Sequence, residues 1–182
     1  MRQKLSIAAV AVGAVLAVVA LVGAALWFYP PSDTANASDG AMSEQQAGDL
    51  ADATAFRQQA LTDPRAALAS CERAQTTLFD GLSAHLAGSG DRFATARFTI
   101  QGARGLTYLS ADVVGATGTV KAVAPVWVYG GAGYAGLSPT ADRLSARLPD
   151  GGTQYGASVQ DAAAVRVATC AEAARRLSTA GG

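Results

Sequence analysis

The sequence predicts an α+β protein with a single N-terminal transmembrane helix, followed by a two-layer domain whose helices pack on a three- or four-stranded antiparallel meander. Three observations lead to this prediction. An uncharged apolar run fills residues 5–29, strand-like runs with short glycine-bearing connectors fill 92–129, and helical patterns precede and follow them. The 182 residues leave room for one modest domain beside the anchor.

The N-terminal segment has the features of a membrane anchor. Residues 1–4 carry Arg2 and Lys4, and residues 5–29 carry no charge and end in an aromatic cluster. At a rise of ~1.5 Å per residue this run exceeds the ~30 Å hydrocarbon core of a bilayer. Because basic residues favour the cytoplasmic side, we expect residues 1–4 inside and everything after residue 29 outside the cell membrane.

A cleavable signal peptide is the alternative interpretation of the same segment. Residues 35–37 read Ala-Asn-Ala, and cleavage after Ala37 would release a secreted binding protein. The apolar run is longer than the ~7–15 residues usual in a signal peptide, which favours a retained anchor. In both cases we expect a flexible linker over residues 30–48 and an extracytoplasmic domain over 49–182.

The charge balance indicates which partners to expect. The chain has 14 basic and 14 acidic residues, and Arg2 and Lys4 precede the domain, so a net charge of −2 remains beyond residue 29. Without a basic stripe, nucleic acid is not an expected partner. We expect an envelope protein of unspecified identity, or a small ligand, as the partner.

Helices are predicted before the strands. Residues 49–61 are compatible with a short helix, and Asp63 followed by Pro64 is typical of a helix start. Apolar residues at helical spacing then predict one long helix that ends at the glycines after residue 87. The stripe consists of Leu68, Cys71, Leu78, Leu82 and Leu86.

The strand-like runs have the lengths and connectors of an antiparallel meander. They cover residues 92–100, 106–115 and 119–129. Pro125 inside the third run indicates an edge position or a bulge. Gly130 and Gly131 predict a hairpin turn of the primed type, after which residues 132–137 return as a short fourth strand.

Alternation along these strands predicts two faces. Leu109, Ala111 and Val113 are expected on the core side, and Asp112 on the other side. That other side also carries an aromatic row, which is the candidate binding face if it is exposed. The row consists of Phe93, Tyr108, Trp127 and Tyr129. The alternative is that the N-terminal helix or a helix over 139–148 covers it.

Two helices are predicted after the sheet. Ser138 and Pro139 indicate the start of a short helix over 139–148. Ser158 with Asp161 resembles an acidic capping box, and the apolar stripe beyond it predicts a final amphipathic helix. The stripe consists of Val159, Ala163, Val167, Cys170, Ala174 and Leu177, with Arg166, Glu172, Arg175 and Arg176 outside it.

The two cysteines, Cys71 and Cys170, each fall on the apolar stripe of a predicted helix. In an oxidising compartment a single pair in a small domain is expected to form a disulfide. Closing a loop of about 100 residues would stabilise the fold by ~4–5 kcal/mol in the chain-entropy model. The sequence therefore predicts a Cys71–Cys170 bridge.

The segment VATCAEAARR offers an alternative role for one cysteine. Thr169, Cys170 and Arg175 resemble the Thr-x-Thr-Cys…Arg pattern of sortases, which are membrane-anchored extracytoplasmic transpeptidases. The resemblance covers a few residues and implies a cysteine nucleophile with His85, the single histidine, as base. Sortases carry that cysteine on a strand of a β-barrel, whereas here it lies in a helical pattern, so no catalytic residue is assigned.

The motif GAGYAG at residues 131–136 matches the dinucleotide-binding pattern G-x-G-x-x-G. That pattern must open a helix and lead to a parallel strand. Pro139 follows too closely for such a helix, and only 46 residues remain after the motif. We expect no dinucleotide and no other cofactor, and with one histidine and paired cysteines we expect no metal site.

These features predict a non-enzymatic, membrane-anchored extracytoplasmic module of the cell envelope that binds a partner protein or a small ligand. A small extracytoplasmic cysteine enzyme is the alternative, as is a secreted binding protein if the N-terminus is cleaved.

Overall fold

The computed structural model describes residues 42–74, 76–145 and 147–180, which belong to one compact unit, Met42–Gly182. The predicted anchor at 5–29 and most of the predicted linker lie outside the described residues. Within the described part of the chain, no helix is both long enough and apolar enough to cross a membrane.

Helices precede and follow a single block of strands in the chain, which confirms the α+β class. The helices are α1 Glu44–Thr62, α2 Pro64–Ala69, α3 Thr76–Ser83, α4 Pro139–Leu144, α5 Gly151–Tyr155 and α6 Ala162–Ala180. The strands are β1 Arg92–Gln101, β2 Thr107–Val114, β3 Val120–Ala122, β4 Val126–Gly130 and β5 Gly133–Gly136. A short 3-10 turn, Ala103–Gly105, joins β1 to β2.

The strands form one antiparallel sheet of order β1-β2-β4-β5, and β3 pairs with the far end of β2. The single strand predicted over 119–129 is therefore two strands, both paired with β2. The interruption comes at Ala124, whose φ is 45°, and at Pro125, which has no N–H to donate to a ladder. The amide of Ala124 instead donates to Oδ1 of Asp112 at 3.0 Å.

The β4–β5 hairpin confirms the predicted fourth strand but not its turn. Gly130 pairs with Gly133, so the loop residues are Gly131 and Ala132. The positive φ of this hairpin falls on Gly133, at 100°, after the loop rather than within it. A primed turn requires positive φ inside the loop, so that prediction was wrong. The GAGYAG motif therefore lies on an antiparallel hairpin.

Helices cover both faces of the sheet, which corrects the predicted two-layer arrangement. Along β4, Val126 and Val128 join a first core cluster with α1, α2 and α6, whereas Trp127 joins a second cluster with α3 and α4. Seven of the eight residues of β2 are buried. A strand buried on both faces loses the apolar–polar alternation on which a face assignment depends.

The long helix predicted from Pro64 is broken. Helix α2 ends at Ala69, and the next residues run along β1, where Arg73 bridges to Phe98 and the amide of Ala74 donates to the carbonyl of Arg97 at 2.9 Å. Strand-like hydrogen bonds to β1 thus replace the helical ones in this segment. The predicted helix start at Asp63 is confirmed, since its Oδ1 accepts from the amide of Ala66 at 3.0 Å.

The other helix boundaries shift by a few residues. Helix α1 begins at Glu44 rather than residue 49, because Ser43 and Gln46 form a capping box. Helix α4 ends at Leu144, earlier than the predicted residue 148. Helix α6 begins at Ala162, with Asp161 rather than Ser158 accepting its first backbone bond, from the amide of Val165. Val159 is consequently exposed.

The cysteine pair confirms the predicted bridge. The sulfur atoms of Cys71 and Cys170 are 2.04 Å apart, and 99 positions of sequence separate the residues. Cys170 is buried on α6, and Cys71 lies just after α2. The disulfide therefore attaches α6 to the segment that leaves the N-terminal helices.

Candidate functional site

The four predicted aromatic residues do not share one exposed face. The exposed fractions are 4% for Phe93, 2% for Tyr108 and 0% for Trp127, whereas Tyr129 is 36% exposed. The alternative interpretation was that a helix covers the row. It is correct for Phe93 and Trp127, which pack against α3 and α4.

Trp127 and Phe93 are packing residues of the second core cluster. Their ring centroids are 5.3 Å apart in an edge-to-face arrangement, and Nε1 of Trp127 donates to Oγ of Ser145 at 3.0 Å. Ser145 in turn donates to the carbonyl of Ala141 in α4. A buried indole N–H with a partner is the expected arrangement for a core tryptophan.

Tyr108 lies on the opposite face of the sheet. The pairing of Tyr108 with Val128 places it in the first cluster, beneath α6. Its hydroxyl donates to Oδ2 of Asp161 at 2.5 Å. Burial and then this hydrogen bond to a carboxylate raise the pKa of Tyr108, so the hydroxyl stays protonated and ties β2 to the start of α6.

Tyr129 remains as the exposed part of the predicted row. Its ring lies 4.8 Å from that of Tyr134, which lies 5.9 Å from the ring of His85. The hydroxyl of Tyr134 donates to the carbonyl of Leu78 at 2.8 Å, so this residue is held against α3. The exposed aromatic surface is therefore much smaller than the predicted one.

A second candidate site arises from an irregularity in β1. Phe93 pairs with Val113 and Arg97 pairs with Ala111, so residues 94–96 of β1 face the single residue Asp112 of β2. This is a bulge with two extra residues, and bulges often lie beside functional sites. Nε of Arg97 donates to the carbonyl of residue 94 at 3.1 Å and closes the bulged backbone.

The bulge opens a pocket between β1, β2 and the second half of α6. Its volume is about 260 Å³. Small side chains from the strand and from the helix leave this space unfilled. The pocket is lined by Ala94, Thr95, Ala96, Asp112, Ala171, Ala174, Arg175 and Ser178.

Two residues of opposite charge, Asp112 and Arg175, line the pocket without forming an ion pair with each other. Asp112 is only 8% exposed, and its Oδ1 accepts from the amide of Ala124. Nε of Arg175 is buried and has no hydrogen-bond partner. The ion pairs among the described residues are Arg97–Asp80 and Lys121–Asp91, so Asp112 and Arg175 do not come within 4.0 Å of each other. Buried charges are normally paired, so the lack of an ion pair at the buried Asp112 is unusual; Arg175 is half-buried, with only its Nε enclosed.

A further unsatisfied group lies on the same interface. Ser110 is two residues from Asp112 on the face of β2 that packs against α6, and its Oγ is fully buried without a partner. Oγ of Ser110 and Nε of Arg175 are the two such side-chain atoms in the described part of the chain. Unmet hydrogen-bonding capacity is therefore concentrated between β2 and α6.

The sequence reasoning missed this site. It placed Asp112 on the aromatic face, whereas the register places it on the face that packs against α6. It placed Arg175 outside the apolar stripe of the last helix, which did not distinguish it from Arg176. The available signal was that Asp112 is the one charged residue in the strand run 106–115.

The residues of the sortase resemblance are not brought together. Cys170 is bonded to Cys71 and carries no free thiol in this form. His85 lies beside Tyr134, which packs in the second cluster, whereas Cys170 packs in the first. The sheet therefore lies between them. Across residues 42–180, excluding 75 and 146, no three His, Cys, Asp or Glu side chains are grouped as metal ligands.

Comparison of the chain with protein-family models, with curated proteins and with solved structures finds no match.

Proposed function

We propose that the chain is a non-enzymatic, membrane-anchored extracytoplasmic module that binds a small polar ligand in the pocket between the β1 bulge and α6. The observation that carries the proposal is a pocket in which a buried carboxylate, Asp112, and a guanidinium, Arg175, lack an ion pair. A few polar groups in a concave, otherwise apolar site are typical of ligand binding.

The compartment is supported by two independent features. The apolar run at 5–29 follows Arg2 and Lys4, which favours a cytoplasmic N-terminus and an external domain. The Cys71–Cys170 bridge is the kind of crosslink that persists in oxidising compartments.

The polar groups of the pocket favour binding over catalysis. Oγ of Ser178 donates to the carbonyl of Arg175 at 2.7 Å and so has no base as its partner. Asp112 lies on β2, and its carboxylate accepts a hydrogen bond from the backbone amide of Ala124. A fixed carboxylate, a guanidinium and an occupied hydroxyl orient a ligand but supply no activated nucleophile.

The location is tested by protease treatment of intact cells that carry the full chain with a C-terminal epitope. We expect the epitope to be removed while a cytoplasmic marker protein stays intact. Protection of the epitope until the cells are opened would contradict the external placement.

The site is tested by a thermal-shift screen of small polar compounds against the full chain in nanodiscs. Ala174→Leu fills the pocket, and Ala180→Leu, at the exposed end of α6, is the matched control. We expect stabilising compounds to act on the unmodified chain and on the control but not on Ala174→Leu. If every stabilising compound acts equally on both variants, the pocket is not the binding site.

A further inference from the structure

We propose that the ligand of this pocket is a small zwitterion of amino-acid size, with its ammonium group at Asp112 and its carboxylate at Arg175. The inference rests on the proposed function and adds the chemical class of the ligand.

The first argument is charge. Asp112 and Arg175 both line the pocket and neither has an ion-pair partner. A ligand with one charge would neutralise one of them and leave the other, either the buried Asp112 or the half-buried Arg175, without a partner of opposite charge. A zwitterion neutralises both at once. The pocket therefore selects for a ligand that carries both signs.

The second argument is size. The pocket has a volume of about 260 Å³ and is partly open to solvent at the exposed Thr95 and Ser178. Pockets for drug-sized ligands begin at about 300 Å³, so the site is matched to a smaller molecule. The alanine side chains of β1 and α6 offer apolar contact to a short side chain.

The third argument is that both charges are carried by anchored elements. Asp112 is on a buried strand and its Oδ1 holds the amide of Ala124. Arg175 is five residues beyond Cys170, whose disulfide attaches α6 to the segment after α2. The planar guanidinium of arginine presents paired donors that match a carboxylate.

The competing occupant of the pocket is the protein itself. A rotation of the Arg175 side chain that brings it to Asp112 would close the site with an internal ion pair. This alternative predicts that no zwitterion binds and that the two side chains depend on each other for stability.

The ligand class is tested with three probes of nearly equal size on the full chain in nanodiscs. Alanine carries both charges, lactate only the carboxylate, and alaninamide only the ammonium group. Dissociation constants are measured by isothermal titration calorimetry. We expect alanine to bind at least about 10-fold more tightly than either analogue, a difference of about 1.4 kcal/mol.

Two substitutions assign the two ends of the ligand. Asp112→Asn keeps an acceptor for the amide of Ala124 and should abolish the preference for alanine over lactate. Arg175→Gln should abolish the preference over alaninamide. Arg176→Gln, on the exposed neighbour in α6, and Asp52→Asn, on the exposed part of α1, should leave all three constants unchanged. Circular dichroism of each variant verifies that it is folded.

Equal or absent binding of the three probes by the folded chain would overturn the zwitterion assignment. So would a double-mutant cycle in which Asp112→Asn and Arg175→Gln show strong coupling in unfolding free energy, which would indicate the internal ion pair. If the probes fail but a compound of another class loses its effect in Ala174→Leu, the zwitterion fails and the proposed function stands. If no compound depends on Ala174, both fail.

Discussion

Breaking the Cys71–Cys170 disulfide should destabilise the domain severely. The bond closes a loop over 99 positions of sequence. For a loop of about 100 residues the chain-entropy model gives ~4.7 kcal/mol, because the unfolded chain regains the freedom that the crosslink removed. Domains of this size are stable by only ~5–15 kcal/mol, so reduction should consume a large part of the total. The melting temperature should fall by roughly 10–20 °C.

The assay is urea unfolding of the full chain in a mild detergent, followed by circular dichroism with and without a phosphine reductant. Reduction keeps both sulfur atoms, so it reports the crosslink by itself. Cys71→Ala combined with Cys170→Ala should cost about 1 kcal/mol more, since it also removes buried volume at Cys170. The reductant should have no effect on that double variant. A loss below about 1 kcal/mol on reduction would refute the reasoning, because the crosslink would then not constrain the unfolded chain.

Three further substitutions test the environments that the structure assigns. Ser145→Ala leaves the buried Nε1 of Trp127 without its acceptor and should cost about 1–3 kcal/mol in urea unfolding; an unchanged midpoint would contradict the hydrogen bond. Tyr129→Ala, at the exposed edge, should cost about 1 kcal/mol or less, and a loss as large as that of a core aromatic would mean that the ring is buried. Burial and then the nearby Asp150 raise the pKa of Asp142, so its ionised form disfavours the fold and its protonated form, present at low pH, does not. Asp142→Asn should therefore stabilise the protein at neutral pH, by about 0.5 kcal/mol or less since the partly exposed carboxylate is screened, and the gain should vanish below about pH 4; a gain that grows on acidification would reverse the sign.

Local signals in the sequence predicted the α+β class and many of the elements. Asp63 and Pro64 marked a helix start, and the short connectors between strand runs marked antiparallel pairing. These features depend on residues close in sequence: an N-cap needs an oxygen three residues before its donor, and a hairpin needs a short connector. Cys71 and Cys170 were predicted as partners because one intramolecular pairing exists for two cysteines.

Features that depend on distant residues were predicted poorly. The apolar stripe predicted that the helix continues beyond Ala69, but Arg73 and Ala74 instead bond to β1. Tyr108 and Trp127 were placed on one face by alternation along the predicted strands, whereas the registers of β2 and β4 place them on opposite faces. A shift of register by one residue reverses a strand's faces, and apolar residues on both sides of β2 conceal which register applies.

The sequence by itself determined the α+β class, the antiparallel pairing and the identity of the disulfide partners, because each depends on composition, short-range spacing or a count of residues. The tertiary structure alone decided which face each side chain occupies and where the candidate site lies. Asp112 and Arg175 line the same pocket because a bulge in β1 leaves space beneath α6. The two residues are 63 positions apart in the sequence, and the bulge in β1, a third segment, creates the space that they share. No local sequence pattern encodes such an arrangement.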